Sequence, residues 1–228
     1  MTHSGRAAQA AIKLILLGLG VLLALLLAGW IARTVGDAIL AIAGVLTGVW
    51  VVFAIFTFYF FRDPDPGVPT GANLVVSPAH GKVDILDTVT EPDFMGGECQ
   101  RISIFLSVID IHVQNAPVGG RVSFYKYNSG KFLSALKTES AAHNENALFG
   151  FDSVETRGAK VGVRLIAGVL ARRIVPFAKV GDMPARGDRI SLIQFGSRTD
   201  IYLPASAKIK IKLGDRVVGG ETVMAVFE

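Results

Sequence analysis

The feature that most constrains this chain is a pair of long apolar runs near its N-terminus. Residues 11–31 contain one charged side chain, Lys13, and residues 38–61 contain none. A helix of about 20 residues, rising roughly 1.5 Å per residue, crosses the hydrocarbon core of a bilayer. Both runs are too long for buried helices of a small domain. The sequence therefore predicts a transmembrane helical hairpin with helices at about 11–31 and 38–61.

The charges around this hairpin predict its orientation. Arg6 and Lys13 lie at its start and Arg62 follows its end, and positive flanks favour the cytoplasmic side. Arg33, in the turn between the two runs, opposes this assignment weakly. We expect a cell-membrane protein whose remaining domain faces the cytoplasm. A hairpin that enters one leaflet without crossing it stays an alternative, whereas no small-residue cleavage site indicates a signal peptide.

The residues after the hairpin predict a mostly β, β-rich α+β domain. Prolines at 64, 66 and 69 predict an extended linker, so we divide the chain into a membrane anchor, 1–62, and one domain, 63–228. Short apolar runs separated by Gly, Pro and Asn follow, and they are typical of strands. One helix is predicted at 166–173, although its β-branched ends fit a strand equally well. The predicted strands are 74–76, 82–86, 101–106, 121–127, 148–151, 160–166, 189–195, 200–203, 207–212 and 221–227.

An internal repeat lies in the C-terminal quarter of the chain. Residues 179–190 and 212–223 share the pattern Lys-x-Gly-Asp followed by Gly-(Asp/Glu), at a constant offset in numbering. This pattern resembles the hairpins of biotinyl and lipoyl barrel-sandwich domains, in which the glycines serve tight turns. We therefore predict a barrel-sandwich-like hairpin repeat whose acidic residues form turns and take no part in catalysis. Neither repeat carries the lysine of a lipoyl-type carrier hairpin.

Composition excludes several classes of protein. The single cysteine, Cys99, forms no disulfide and no cysteine-based metal site within one chain. No metal-ligand spacing, Gly-rich phosphate loop or basic-aromatic surface is present, so we expect no metal and no nucleic-acid partner. The net charge of +4 suits an anionic membrane surface.

The pair Gly196-Ser197, taken alone, is ordinary turn material between two strand-like runs. Its surroundings indicate more. Residues 168–175, 179–182, 187–190 and 195–204 strongly resemble the C-terminal part of phosphatidylserine decarboxylases. That family consists of pyruvoyl enzymes that are made as proenzymes. The resemblance covers most of residues 61–228, and the short chain with its N-terminal hairpin is similar to the short, membrane-anchored subfamily.

The resemblance implies a function and a maturation step. It implies a carboxy-lyase that converts phosphatidylserine in the membrane to phosphatidylethanolamine and CO2. The chain would cut itself between Gly196 and Ser197, giving a β chain, 1–196, and an α chain, 197–228, which form a heterodimer. Ser197 would become the pyruvoyl group, the cofactor that forms a Schiff base with the substrate amine. A related serine lipid such as archaetidylserine, or a non-enzymatic membrane-tethered β-domain relative, are the alternatives, and a homo-oligomer is left open.

His112 and Asp110 are the first candidates for acid–base chemistry. They alternate with apolar residues in 109–113, so on a strand they would share one face and could pair. The alternative is the polar outer face of an edge strand. The segment matches a family motif of the form Asp-Val-His-(three residues)-Pro. The resemblance implies that His112 serves decarboxylation and also self-cleavage.

His80 marks a departure from the family pattern. It occupies a Pro-Ala-x-Gly turn in which the family usually carries an aspartate, and Asn115 stands where relatives often carry a second histidine. One hypothesis is that His80 is the base for Ser197, oriented by Asp84, Asp110 or Asn115. The alternative is that His80 only fills a turn and His112 supports the cleavage.

Polar and basic residues complete the predicted site. Cationic side chains suit a substrate phosphate or anionic headgroups, and a solvated charged face is the alternative. His143 lies in a segment that partly matches a family Asn-Glu-Arg-Asn motif, and it predicts either a substrate-facing loop or a surface loop. The predicted substrate-binding residues are Arg172, Arg173, Arg198 and His143.

Overall fold

The computed structural model describes residues 5–31, 37–130, 144–156, 158–168, 173–194 and 197–227. The chain divides into two compact units, Gly5–Asp63 and Pro64–Glu228. The first unit contains two helices, α1 (Arg6–Ile31) and α2 (Asp37–Phe60). Both are long and apolar enough to cross a membrane, which agrees with the predicted hairpin. Within this unit Gly18 of α1 lets the indole of Trp50 approach the helix backbone, since a Cβ at Gly18 would lie 2.5 Å from Trp50 Nε1.

The second unit is built from antiparallel strands, so the mostly β prediction is confirmed. The described residues contain β1 (Leu74–Val76), β2 (Gly81–Glu91), β3 (Gly97–Leu106), β4 (Val113–Asn115), β5 (Gly120–Asn128), β6 (Asn146–Ser153), β7 (Lys160–Ala167), β8 (Arg173–Pro176), β9 (Arg189–Gln194), β10 (Ser197–Leu203), β11 (Ala207–Ile209), β12 (Arg216–Val217) and β13 (Val223–Phe227). They form three open sheets with the orders β12-β2-β3-β10-β7-β6-β5, β4-β9-β8 and β1-β13-β11.

The helix predicted at 166–173 is wrong at both of its ends. Strand β7 continues through Ala167, and Arg173 begins β8. Residues 169–172 lie outside the described residues. The β-branched residues at the ends of this segment favour extended backbone, and pairing with β10 and β9 stabilises it there. The prediction also omitted the short strands β4, β8 and β12.

Three neighbouring strands pass from the large sheet into the β4-β9-β8 sheet at one place, which we call the corner. Strand β3 leads into β4 through residues 107–112, β9 leads into β10 through 195–196, and β7 leads into β8 through 168–172. The order β3-β10-β7 in one sheet matches the order β4-β9-β8 in the other. The connection between β9 and β10 is therefore the middle one of three.

The internal repeat proves to be half of a larger pseudo-symmetric arrangement. Residues 78–83 and 117–122 share the pattern Pro-x-x-Gly-(Lys/Arg)-Val. The amide of Gly214 donates to Val83 O at 2.8 Å, and the amide of Gly181 donates in the same way to Val122 O at 2.8 Å. Each Gly-Asp turn of the 179–190 and 212–223 repeat is thus hydrogen-bonded to one of the two Pro-x-x-Gly-(Lys/Arg)-Val segments.

The acids of these turns have the structural role that the pattern predicts. Asp182 and Asp215 each accept a hydrogen bond from the backbone amide three residues earlier, at 3.0 and 2.8 Å. Gly181 and Gly214 adopt φ values of 100° and 93°, which disfavour residues with a Cβ. The carboxylates therefore stabilise turns.

The linker after the first unit is bound to the second unit. The Asp65 carboxylate accepts a hydrogen bond from Arg189 at 2.8 Å, and the amide of Gly67 donates to Glu221 Oε1 at 2.9 Å. Arg186 donates to the carbonyl oxygen of Gly71 at 2.9 Å. These bonds attach the linker to the turns of the internal repeat.

Candidate active site

Ser197 is the first residue of β10 and lies at the corner. It pairs with Leu106 of β3 on one side and Ala167 of β7 on the other. Its side chain is fully buried, and within the described part of the chain its Oγ has no hydrogen-bond partner. Because alternate residues of a strand share a face, Ser197 lies on the same side as the core residues Ile201 and Leu203. An unpaired buried hydroxyl is costly, so its presence in a folded protein calls for an explanation such as a catalytic role.

The Gly196-Ser197 pair does not join a hairpin, as a turn between two consecutive strands would. Strand β9 pairs with β4 and β8, whereas β10 pairs with β3 and β7. Gly196 lies outside the described residues, between these two strands. The bond that precedes Ser197 is therefore in a crossing between sheets, where both flanking strands are fixed by neighbours on either side.

His112 lies on the other side of the same corner and is fully buried. Its backbone oxygen accepts hydrogen bonds from the Ile193 amide at 3.1 Å and from Gln114 Nε2 at 2.7 Å. Its Nδ1 lies 2.8 Å from the backbone oxygen of Asp110. A carbonyl oxygen only accepts, so Nδ1 carries a proton, and in the neutral ring Nε2 is the acceptor nitrogen. This tautomer makes Nε2 able to accept a proton.

The predicted pairing of Asp110 with His112 on one strand face is wrong in its geometry. Strand β4 begins only at Val113, and both residues lie in the non-strand segment before it. The Asp110 carboxylate accepts hydrogen bonds from the Ser107 amide and hydroxyl, at 2.8 and 2.7 Å, and from Arg216. Asp110 therefore closes the turn, and its backbone oxygen contacts the imidazole.

His80 lies beside Asn115 at a glycine of the repeat. A Cβ on Gly219 would lie 2.8 Å from Asn115 Oδ1 and 3.1 Å from His80 Nε2. The Asn115 amide nitrogen donates to Gly187 O at 2.8 Å, which turns its oxygen toward Gly219. Asn115 Oδ1 and His80 Nε2 thus both lie beside Gly219.

The other two residues considered as orienting partners of His80, Asp110 and Asp84, each form ion pairs with an arginine. Asp110 is bound in the turn described above, and Asp84 forms a bidentate ion pair with Arg198 at 2.8 and 2.6 Å. This ion pair also bears on the predicted substrate-binding role of Arg198, because its guanidinium is almost fully buried against Asp84. Arg173 is exposed at the start of β8. Arg172 and His143 lie outside the described residues.

A buried polar segment, Asn144 to Asn146, closes the β7 side of the corner. Asn144 Nδ2 donates to Ala167 O at 2.8 Å, and the Ala167 amide donates to Glu145 O at 2.9 Å. The Ile174 amide donates to Glu145 Oε1 at 3.3 Å. These bonds join the end of β7 to the start of β8 beside the strand partner of Ser197. The surface-loop interpretation of this segment is therefore wrong for these three residues, and the partial family motif was the only signal for their role.

The opposite face of β10 carries a buried acid that is separate from Ser197. Burial raises the pKa of the Asp200 carboxyl above its ordinary value, against the opposing influence of nearby arginines. The Tyr202 hydroxyl lies 3.4 Å from Asp200 Oδ2, and burial raises the pKa of Tyr202 as well. Since these side chains alternate with Ser197 along the strand, they support the sheet from its other side.

The corner thus combines the buried Ser197 hydroxyl, which has no hydrogen-bond partner among the described residues, the buried imidazole of His112 and a backbone bond that follows a glycine. Among the described residues no group of three His, Cys, Asp or Glu side chains is placed to hold a metal ion. This arrangement suits nucleophilic attack by a hydroxyl with an imidazole as base.

Comparisons with known proteins show similarity to one family. A family model described as phosphatidylserine decarboxylase matches residues 53–225. A phosphatidylserine decarboxylase proenzyme of Symbiobacterium thermophilum is 45% identical over 184 residues, covering 81% of this chain and 83% of the relative. The proenzyme of Desulfotalea psychrophila is 39% identical, covering 79% and 83%, and that of Geobacter sulfurreducens is 41% identical, covering 84% and 94%.

Proposed function

Because the chain belongs to the phosphatidylserine decarboxylase family, we propose that it cuts its own backbone between Gly196 and Ser197 and then decarboxylates phosphatidylserine. The products of the reaction are phosphatidylethanolamine and CO2. The observation that carries this proposal is the buried Ser197 hydroxyl, which has no hydrogen-bond partner within the described residues. A hydroxyl that is held without a partner at a sheet crossing is available to react with the backbone next to it.

The cleavage begins with an acyl shift. Ser197 Oγ attacks the carbonyl carbon of Gly196, the C–N bond breaks, and the hydroxyl proton passes by way of a base to the released nitrogen. A base then removes the α-proton of residue 197, and the bond between its Cβ and the ester oxygen breaks. This elimination leaves a carboxylate on Gly196 and a dehydroalanine at 197. Water enters and ammonia leaves, so residue 197 ends as a pyruvoyl group. Each step conserves atoms without a metal or an oxidant.

His112 is our first candidate for the base. Its Nδ1 is occupied by the backbone oxygen of Asp110, so Nε2 is the nitrogen that can take up a proton. His112 and Ser197 lie at the same corner, where the residue before the turn, Leu106, pairs directly with Ser197. After maturation the same imidazole would supply the proton that replaces the departing CO2.

His80 is the second candidate for the cleavage base. It precedes Gly81, the first residue of β2, and β2 pairs with the β3 strand that flanks Ser197. Asn115 lies with it at Gly219. The two candidates are distinguished by His80→Ala and His112→Ala: the true base is the residue whose removal leaves the proenzyme uncut on a gel.

The surroundings of Ser197 fit a pyruvoyl group. The group arises from the main chain and needs no separate binding pocket, while the pairing of β10 with β3 and β7 fixes its position. When formed, the pyruvoyl ketone supplies an electron-withdrawing centre that condenses with the substrate amine. Of the described cationic candidates, we assign the substrate phosphate to Arg173, because it is exposed beside the corner and Arg198 is already paired with Asp84.

The two products of the cut would stay together. The α chain would contain β10 to β13, and β10 is inserted between β3 and β7 of the β chain. Strand β13 pairs with β1, and β12 pairs with β2. Separating the chains would break all these ladders, so we propose a stable heterodimer. The two apolar helices would anchor it in the membrane with the catalytic domain in the cytoplasm, as the charges of Arg6, Lys13 and Arg62 favour.

Release of CO2 from carboxyl-labelled phosphatidylserine in mixed detergent micelles tests the proposal. The purified wild-type chain should release CO2 and should run as two chains on a denaturing gel. Ser197→Ala should remain one chain and release none. A wild-type chain that is cut but releases no CO2 would support the proposed self-cleavage and contradict the proposed decarboxylation of phosphatidylserine.

A further inference from the structure

A group of exposed apolar side chains lies beside the corner, outside the residues assigned to the reaction. The turn after β3 exposes Val108 and Ile109, and Ile109 is 58% exposed. The turn before β12 exposes Leu213, at 64%, and Val218 follows that strand. Large apolar side chains in this arrangement are unfavourable in water.

The two turns are joined into one surface. Arg216 donates a hydrogen bond to the Asp110 carboxylate, so the turn at 107–111 is tied to the segment that follows Leu213. The Gly214 amide bonds to Val83 O at 2.8 Å, which fixes the second turn against β2. Hydrogen bonds therefore hold the two turns in fixed positions next to each other.

Exposed basic residues surround these apolar side chains. Lys82 is directly opposite Arg216 in the ladder of β2 and β12, and Lys212 precedes Leu213. Three acids lie nearby, and each has partners: Asp110 bonds to Ser107 and Arg216, Asp215 accepts from the Lys212 amide, and Asp84 of β2 is paired with Arg198. Apolar tips with a basic surround match the interface of an anionic bilayer.

The linker brings this surface within reach of the membrane. Residues 61–66 alone separate the end of α2, at Phe60, from Gly67, whose amide is bonded to Glu221. Seven residue steps of roughly 3.5 Å limit that distance to about 25 Å. Glu221 in turn donates through its amide to the backbone oxygen of Val218, at 3.2 Å.

We propose that these residues form a second membrane contact, which seats the corner of the catalytic domain on an anionic bilayer. The apolar side chains enter the interface and the basic ones meet anionic headgroups. The surface comprises Val108, Ile109, Leu213 and Val218, with Lys82, Lys212 and Arg216. Such seating would bring a lipid headgroup to Ser197 without withdrawing the lipid into water. The inference depends on the proposed membrane anchoring but not on decarboxylation itself.

Fluorescence quenching in proteoliposomes tests the proposal on the full chain. Ile109→Cys and Leu213→Cys are labelled with a polarity-sensitive dye, and Val154→Cys, at an apolar residue that is 67% exposed and lies elsewhere on the domain, is the matched control. Burial raises the pKa of the native Cys99 thiol, which keeps this thiol protonated and little reactive. Wild-type protein treated with the same dye measures any remaining labelling of Cys99. The vesicles contain phosphatidylcholine alone or an equal mixture with phosphatidylglycerol, plus a lipid spin-labelled near its headgroup.

We expect the labels at 109 and 213 to be quenched several-fold more strongly than the label at 154, and more strongly with phosphatidylglycerol present. Equal quenching at all three positions would overturn the proposal, and so would equal quenching in the two lipid mixtures. If shielding of the labels at 109 and 213 depends on the amount of protein per vesicle and the spin-labelled lipid does not quench them, the surface contacts a second copy of the chain and the proposal is overturned. Flotation of the vesicles reports separately on anchoring, and the Ser197→Ala chain should give the same quenching without activity.

Discussion

Replacing Asp110 distinguishes a turn-forming residue from a direct partner of the histidine. In Asp110→Asn the side-chain oxygen can still accept from the Ser107 amide and hydroxyl, and only the ion pair with Arg216 is lost. The Arg216 side chain is 65% exposed, so that ion pair is worth about 1 kcal/mol or less. If the turn keeps the Asp110 backbone oxygen on His112 Nδ1, self-cleavage should slow by roughly fivefold or less, because about 1.4 kcal/mol corresponds to a factor of ten.

Asp110→Ala removes the acceptor altogether. Two hydrogen bonds to Ser107 are lost in a largely buried turn, at about 1 to 1.5 kcal/mol each, so the turn loses roughly 2 to 3 kcal/mol. If this loss appears fully in the rate, cleavage slows by about 30- to 150-fold. Arg216→Gln, which leaves the turn bonds intact, is the matched control and should process almost normally.

The assay follows conversion of pulse-labelled proenzyme to the β and α chains on a gel. The order expected is wild type, Arg216→Gln, Asp110→Asn and then Asp110→Ala. A carboxylate that directly stabilised the imidazolium would give a different result, since removing its charge in a catalytic triad costs about 10⁴ in rate. A loss of that size in Asp110→Asn, equal to the loss in Asp110→Ala, would refute the backbone-mediated arrangement.

Three further predictions concern stability and reactivity, measured on the uncut Ser197→Ala chain in detergent. Gly81→Ala should destabilise the domain by about 3 kcal/mol in urea titrations, because the φ of Gly81 is 153° and the new Cβ would lie 2.3 Å from Phe105 O. Gly97→Ala is the control: its Cβ would have no atom within 4 Å, so it should cost less than about 0.5 kcal/mol. Burial raises the folded-state pKa of Asp200, so the folded chain binds more protons than the unfolded one above about pH 4, and its stability falls as pH rises through the window between the two pKa values. Asp200→Asn should therefore gain urea resistance relative to wild type as pH rises, and a relative loss would contradict this sign. Burial raises the pKa of Cys99, so a disulfide reagent should modify it only on unfolding, and rapid modification of the folded chain would show that it is accessible.

Features set by local pattern could be predicted from the sequence. The two helices follow from uninterrupted apolar runs, and most strands follow from short runs bounded by turn residues. The turns of the internal repeat follow from Gly-Asp spacing. The second half of that pseudo-symmetry, at 78–83 and 117–122, was also visible in the sequence as a shared Pro-x-x-Gly-(Lys/Arg)-Val pattern.

Features set by distant pairing could not be predicted in the same way. The strands around Gly196-Ser197 have the local pattern of a hairpin, yet β10 finds its partners in Leu106 and Ala167 and the chain crosses between sheets. Likewise the alternation of Asp110 and His112 matches a strand. The Asp110 side chain instead bonds to Ser107, and this local competitor to a strand ladder produces a turn.

The site was predictable in its residue types more than in its contacts. Ser197 and His112 both lie at the corner, and the roles that the resemblance implies for them stay predictions. The pairing of Arg198 with Asp84 and the bracket formed by Asn144 and Glu145 depend on sheet order, which no local pattern contains.

The mass of the C-terminal fragment tests the central claim most directly. We predict a fragment that begins at residue 197, resists Edman degradation and is lighter than the serine-ended peptide 197–228 by one molecule of ammonia, because the α-amino group is lost when the ketone forms. Borohydride should add two hydrogens to it. An unbroken chain, or a fragment with a free N-terminal serine, would contradict the account.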